Sequence, residues 1–286
     1  MPAFVLWALL ASMCFGAGLV LSKRGLAQVD PTAGATISLP TTCIILWLLA
    51  PFFLDLSGWN SHAALTFALT GLFFPVAATL LGFEANRRMG PGTAGALYGT
   101  TPVFASAGAI VFLGEHLTTS VVMGTLVVVA GGALLSMGGR SAPRHWPLLA
   151  LAFPLGAAAV RAIAQNFTKG GFGFWNNPFA AVLIAYTASA ILITLIYFFR
   201  GRRAVDVPRA TVPWFMAVGL CNGAAMLAMY LGLASGSVAV VSSIAATFPL
   251  FALAFGTVLL RNEPFTRQLL CGAALSVSGV ALLLLG

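Results

Sequence analysis

The sequence predicts an all-α polytopic membrane protein, with ten transmembrane helices arranged as two inverted five-helix repeats around a central cavity. Three observations carry this. Of the 286 residues, 60% are hydrophobic and only 7% charged, with a mean hydropathy of +1.00; a soluble domain ordinarily has roughly a quarter of its residues charged. The apolar residues fall into ten runs, each near the roughly 20 residues that a helix needs to cross a bilayer. Finally, a pattern in the first half returns in the second. Pro102, Phe104 and Glu115 in "LYGTTPVFASAGAIVFLGE" answer to Pro249, Phe251 and Glu263 in "IAATFPLFALAFGTVLLRNE", 147 residues on at the prolines and 148 at the glutamates.

Bounded by Gly, Pro and charged residues, the runs cover about 4–22, 32–54, 63–84, 92–114, 120–138, 147–167, 178–199, 213–234, 237–260 and 267–285. Span one carries no Lys or Arg before its apolar stretch and lacks a lipoprotein cleavage box around Cys14, so it reads as a retained helix. Spans two and seven open on Pro31 and Pro178, again 147 apart, and Lys23 and Lys169 close spans one and six, 146 apart. Spans four and nine carry the paired prolines. Spans five and ten carry glycine tracks, Gly124 and Gly131 against Gly272 and Gly279, that suit close helix packing within the chain or against a second copy. The halves divide as residues 1–140 and 141–286.

Charge sets the orientation. Of 14 Lys and Arg, 12 lie in or beside the connections after spans one, three, five, seven and nine, and only Lys169 lies on the other side. The positive-inside rule then puts both termini on the outer side of a bacterial-type inner membrane. Scattered basic residues of this kind are topology signals rather than a nucleic-acid patch, so a net charge of +8 implies lipid as partner and no nucleic acid. Because five is odd, two five-span copies in one chain must insert oppositely, and corresponding connections should exchange their charge. They do: four basic residues follow spans one and three against one after six and eight, while none follow two and four against six after seven and nine.

Inverted repeats with broken helices are a plan of secondary transporters, in which a midplane site opens to each side in turn. Pro102 and Pro249 are the expected breaks and gating elements, because each removes a hydrogen bond from the carbonyl four residues before it, at Tyr98 and Ala245. Polar residues gather there: Tyr98, Thr100 and Thr101 on span four, and Ser242, Ser243 and Thr247 on span nine. Such hydroxyls can bond back to their own helix or face a substrate. Arg161 lies well inside span six and shares a face with Gln165. It is either a structural pair or the ligand of an anionic substrate group. Glu84 precedes Arg87 and Arg88 by three and four residues, a spacing for local ion pairs, and is also the one candidate for proton coupling.

The four cysteines lie in apolar runs and read as small buried hydrophobes. His62, His116 and His145 have no metal-site spacing, and no nucleophile triad or phosphate loop is present, so neither metal, cofactor nor enzyme activity is expected.

The two stretches "ALYGTTPVFASAGAIVFLGEHLTTSVVMGTLVVVAGGALL" and "VVSSIAATFPLFALAFGTVLLRNEPFTRQLLCGAALSVSGVALLL" resemble the C-terminal part of the EamA repeat of the drug/metabolite transporter superfamily. The resemblance implies a ten-helix metabolite exporter whose cavity is lined by helices one, three, four, six, eight and nine. Within the superfamily the chain is similar to amino-acid exporters, including those for aromatic amino acids; the alternatives are efflux of lipophilic cations, as in drug-exporting relatives, and a non-carrier membrane subunit without alternating access. Carried onto this sequence, the cavity candidates are Tyr98, Thr101, Arg161, Gln165, Ser242 and Ser243, with Trp7, Asn222 and Tyr230 behind them. The lone Arg161 is unlike the basic cluster of phosphate-exchanging relatives.

Overall fold

The computed structural model describes residues 2–137, 148–199, 208–260 and 267–285. Within these it is all helical, with ten stretches long and apolar enough to span a membrane: Ala3–Leu26, Pro31–Phe53, Ser61–Met89, Thr93–Leu113, Thr119–Ser136, Leu149–Phe172, Pro178–Phe199, Arg209–Ser235, Val238–Gly256 and Arg267–Leu285. We call them spans one to ten. Glu263, the repeat partner of Glu115, lies outside the described residues, as do His145 and the basic residues from Arg200 to Arg203.

Spans two and seven start by the same chemistry. Asp30 Oδ1 accepts from the amides of Thr32 and Ala33, and Asn177 Oδ1 accepts from Ala180, 147 residues after Ala33. Each cap is followed by a proline, whose missing N–H is no loss at a first helical position. The connection between spans two and three docks on the one between six and seven: Trp175 Nε1 donates to the Ser57 carbonyl at 3.2 Å, and Asn177 to that of Asp55. There Ser57 donates its hydroxyl and its amide to the Asp55 carboxylate, holding that group below the usual carboxylate range.

Both expected breaks are present, and they match bond for bond. Span four is interrupted between Tyr98 and Thr101, span nine between Ala245 and Phe248. Gly99 donates to the Gly95 carbonyl as Ala246 does to Ser242; Thr100 donates amide and hydroxyl to Leu97 as Thr247 does to Ile244; Val103 donates to Thr100 as Leu250 does to Thr247. The break thus precedes each proline, which sits in the first turn of the following helix where proline is tolerated. The Tyr98 carbonyl is not left to a ligand, because the Thr101 hydroxyl donates to it at 2.7 Å.

A third break, unforeseen in the sequence, divides span three into a helix Ser61–Phe73 and one beginning at Val76. The second of these runs to Tyr98. Sixteen residues of straight helix would span about 24 Å, yet the Tyr98 hydroxyl donates to the Gly82 carbonyl at 2.6 Å, so the chain turns back between them. Span eight, its repeat counterpart, is one continuous helix from Val212 to Ser235.

Packing between the halves obeys a pseudo-two-fold axis. On spans five and ten, a Cβ on Gly124 would sit 2.9 Å from the Gly279 carbonyl, and one on Gly131 2.9 Å from that of Gly272. These are the same contact with the halves exchanged, and their order makes the helices antiparallel. The glycine tracks are therefore used inside the chain. The Ser189 hydroxyl donates to the Gly71 carbonyl at 2.5 Å, and its equivalent Thr42 donates to Gly219 at 2.6 Å. The Phe67 ring fills the space above Gly171, and Phe215 that above Gly25. The offset is 148 for Gly71 and Gly219 but 147 for Tyr98 and Ala245, so the first half has one residue more between these points, on the stretch that includes the Phe74–Pro75 break.

Candidate functional site

Two contiguous hollows lie where the halves meet. The larger, about 80 Å³, is lined among others by Phe15, Leu19, Ser22, Asn86, Asn222 and Phe248; the deeper, about 20 Å³, by Thr101, Gln165, Met229, Ser242, Ala245 and Ala246. Phe15, Tyr98, Arg161 and Phe248 line both. The walls come from spans one, three, four, six, eight and nine, as the resemblance implies. Ser22 and Asn86 bring the larger hollow to the ends of spans one and three, beside Lys23, Arg24, Arg87 and Arg88. The hollow therefore points toward the basic face.

The opposite face is shut. Thr168 donates to the Tyr230 hydroxyl at 3.1 Å, Phe172 packs edge-on to Tyr230, and Phe67 touches both Phe172 and the buried Trp175.

Of the predicted site residues, Tyr98, Thr101, Arg161, Gln165 and Ser242 come together around the deeper hollow. Arg161 holds its guanidinium 4.6 Å from the Phe15 ring centre. Among the described residues the ion pairs are those of Glu84 with Arg87 and Arg88, so no carboxylate neutralises Arg161. The hydroxyl protons of Tyr98 and Thr101 go to the Gly82 and Tyr98 carbonyls. Their remaining lone pairs make these two groups acceptors toward any further partner. The Gln165 Oε1 and Ser242 Oγ atoms are buried without a partner among the described residues, a cost of about 1–3 kcal/mol each unless something donates to Gln165 or receives from Ser242.

The remaining candidates lie elsewhere. Ser243 faces span five, its hydroxyl 2.8 Å from that of Thr125 and donating to Ala239. Pro102 and Pro249 are buried beside the breaks but line neither hollow; the residues flanking the breaks do. Glu84 lies off the hollow, held by Arg87 at 2.8 Å and by Arg88, in a separate depression with Asp30 and Phe153. Asn222 lines the larger hollow, Tyr230 seals the closed face, and Trp7 stands at the edge of span one, partly exposed. Phe15 and Phe248 were not expected, yet the repeat marks them: Phe15 stands 146 residues before Arg161, and Phe248 stands 147 after Thr101. The Glu115 carboxylate crosses to the other half and accepts from the Val238 and Ala239 amides at the start of span nine.

Two halves related by a pseudo-two-fold axis, enclosing a hollow that reaches toward one face and is shut from the other, are the plan of a secondary transporter. The family sequence model that matches is that of the EamA-like transporter family, over residues 3–137 and again over 148–285, so the chain belongs to that family. It is a transporter family and not an enzyme family, and membership implies a small-molecule substrate moved across a membrane. No curated protein sequence matches the chain. Among solved structures 29 chains match. One, described only as the crystal structure of a protein, has a TM-score of 0.81 at 17% identity, covering 99% of this chain and 96% of that one. At that identity the likeness concerns the fold.

Proposed function

We propose that the protein exports small zwitterionic metabolites, foremost amino acids with apolar or aromatic side chains, by alternating access of residues 1–140 against 141–286. The observation that carries this reading is Arg161: a cation without a carboxylate partner among the described residues, lying on a phenyl ring beside hydroxyls that can only accept. A substrate carboxylate would take Arg161, its ammonium the lone pairs of Tyr98 and Thr101 and the carbonyl of Gln165, and its side chain the wall of Phe15, Leu19 and Phe248. No acidic side chain lines the hollow among the described residues, which favours a zwitterion over a lipophilic cation. The charge imbalance supports a bacterial-type inner membrane with the basic face cytoplasmic and both termini periplasmic.

The test is flux in proteoliposomes loaded with labelled phenylalanine or threonine. Saturable efflux with counterflow is expected. Flux no greater than from empty liposomes for every amino acid, with efflux of a cationic dye that Glu84→Gln abolishes, would establish the alternative instead.

A further inference from the structure

On the closed face one cation and one anion draw four helix ends together. Lys169, in the last turn of span six, donates Nζ to the carbonyls of Leu233 at 2.7 Å and Gly236 at 2.9 Å, where span eight ends. Those carbonyls belong to the negative end of a helix, so a cation there gains both hydrogen bonds and a favourable dipole. Beside it Glu115, at the end of span four, holds the start of span nine.

The repeat places the counterparts of this clasp on the basic face. Lys23 corresponds to Lys169, while Asn86 and Met89 correspond to Leu233 and Gly236. There the clasp is undone. Lys23 is exposed, and the mouth of the hollow, with Ser22 and Asn86 in its wall, opens beside it. Span three ends there at Met89, as span eight ends at Ser235.

We propose that Lys23 and Lys169 are mutually exclusive latches: when the hollow opens to the terminal face, Lys169 lets go and Lys23 seats on carbonyls at the end of span three, about Asn86 and Met89. The device follows from taking the observed closed end and applying the internal symmetry to the open one. Each lysine then sets the population of the state it closes, without touching substrate.

The test uses a background in which Cys14, Cys43, Cys221 and Cys271 are replaced by Ala, with Thr79→Cys as reporter in the hollow. A membrane-impermeant maleimide is applied to oriented vesicles from each face, and the ratio of the two labelling rates is read. Relative to the parent, Lys169→Met raises labelling from the terminal face over that from the basic face about tenfold, and Lys23→Met lowers the ratio about tenfold, the scale of one lost charged hydrogen bond. Lys169→Arg and Lys23→Arg, which keep the charge and control for folding, leave the ratio near that of the parent. Shifts of both methionine variants in one direction, or no shift with Lys23→Met, overturn the proposal.

Discussion

Span one and span six are copies of one helix, and they meet at the axis with different chemistry. Phe15 of the first lies under Arg161 of the second, and Leu19 and Gln165, the next equivalent pair, both line the hollow. Elsewhere the halves have kept the same bonds: the breaks of spans four and nine, the caps of spans two and seven, and the hydroxyl-to-glycine contacts of Ser189 and Thr42 all repeat. The scaffold is thus held in duplicate while the charge at the site is carried by one copy, through Arg161. Recognition needs a single orientation of the substrate, whereas opening to both sides needs two mechanically equal halves.

The largest effect should come from disturbing that asymmetry. Arg161→Phe removes the unneutralised cation and should lower phenylalanine flux at limiting substrate on the order of 100-fold, about 3 kcal/mol. Adding Phe15→Arg restores the charge from across the axis and should recover part of the loss, because the two side chains already touch. A double variant no better than the single would show that the halves are not interchangeable at the site. Next come the glycines. A Cβ at Gly131 would lie 2.6 Å from the Ser276 amide nitrogen, and one at Gly279 2.7 Å from that of Val128. Gly131→Ala and Gly279→Ala should each cost about 1–3 kcal/mol in unfolding free energy, and their melting temperatures in detergent should fall together. The smallest pair sharpens the comparison further. Ser189→Ala strands the Gly71 carbonyl and the Val76 amide, which donates to Ser189 at 3.3 Å. Thr42→Val removes only a second bond from the Gly219 carbonyl, which lies inside a continuous helix. Both should lower the melting temperature, the serine change more, by about 1 kcal/mol.

How much of this could be read beforehand depended on the kind of signal. Length and hydropathy marked all ten spans, because a bilayer imposes them on any sequence. The repeat marked the breaks, and an arginine inside an apolar run marked one wall residue of the hollow. What stayed hidden was which way a side chain faces on a helix that is apolar all round. Ser242 and Ser243 are adjacent, and only the fold shows that one meets the hollow and the other Thr125. Glu115 was legible as a helix-ending carboxylate, but its partners lie 123 and 124 residues away in the other half. Glu84 was the reverse case, since its ion pairs are local and its spacing to Arg87 and Arg88 foretold them. The interruption at Phe74 and Pro75 had no twin in span eight, so comparing the copies could not flag it.

That unpaired interruption bears on how the copies could drift apart in length. In an unbroken helix one added residue swings everything beyond it by about 100°, which would carry Gly82, Phe83 and Asn86 away from the hollow they now line. Where the rod is already severed, as at Phe74 and Pro75, a surplus residue can be taken up in the joint with the phase beyond it preserved. Pro75 therefore marks a tolerance seam, a place where an insertion can be absorbed while the wall of the transport path keeps its aim.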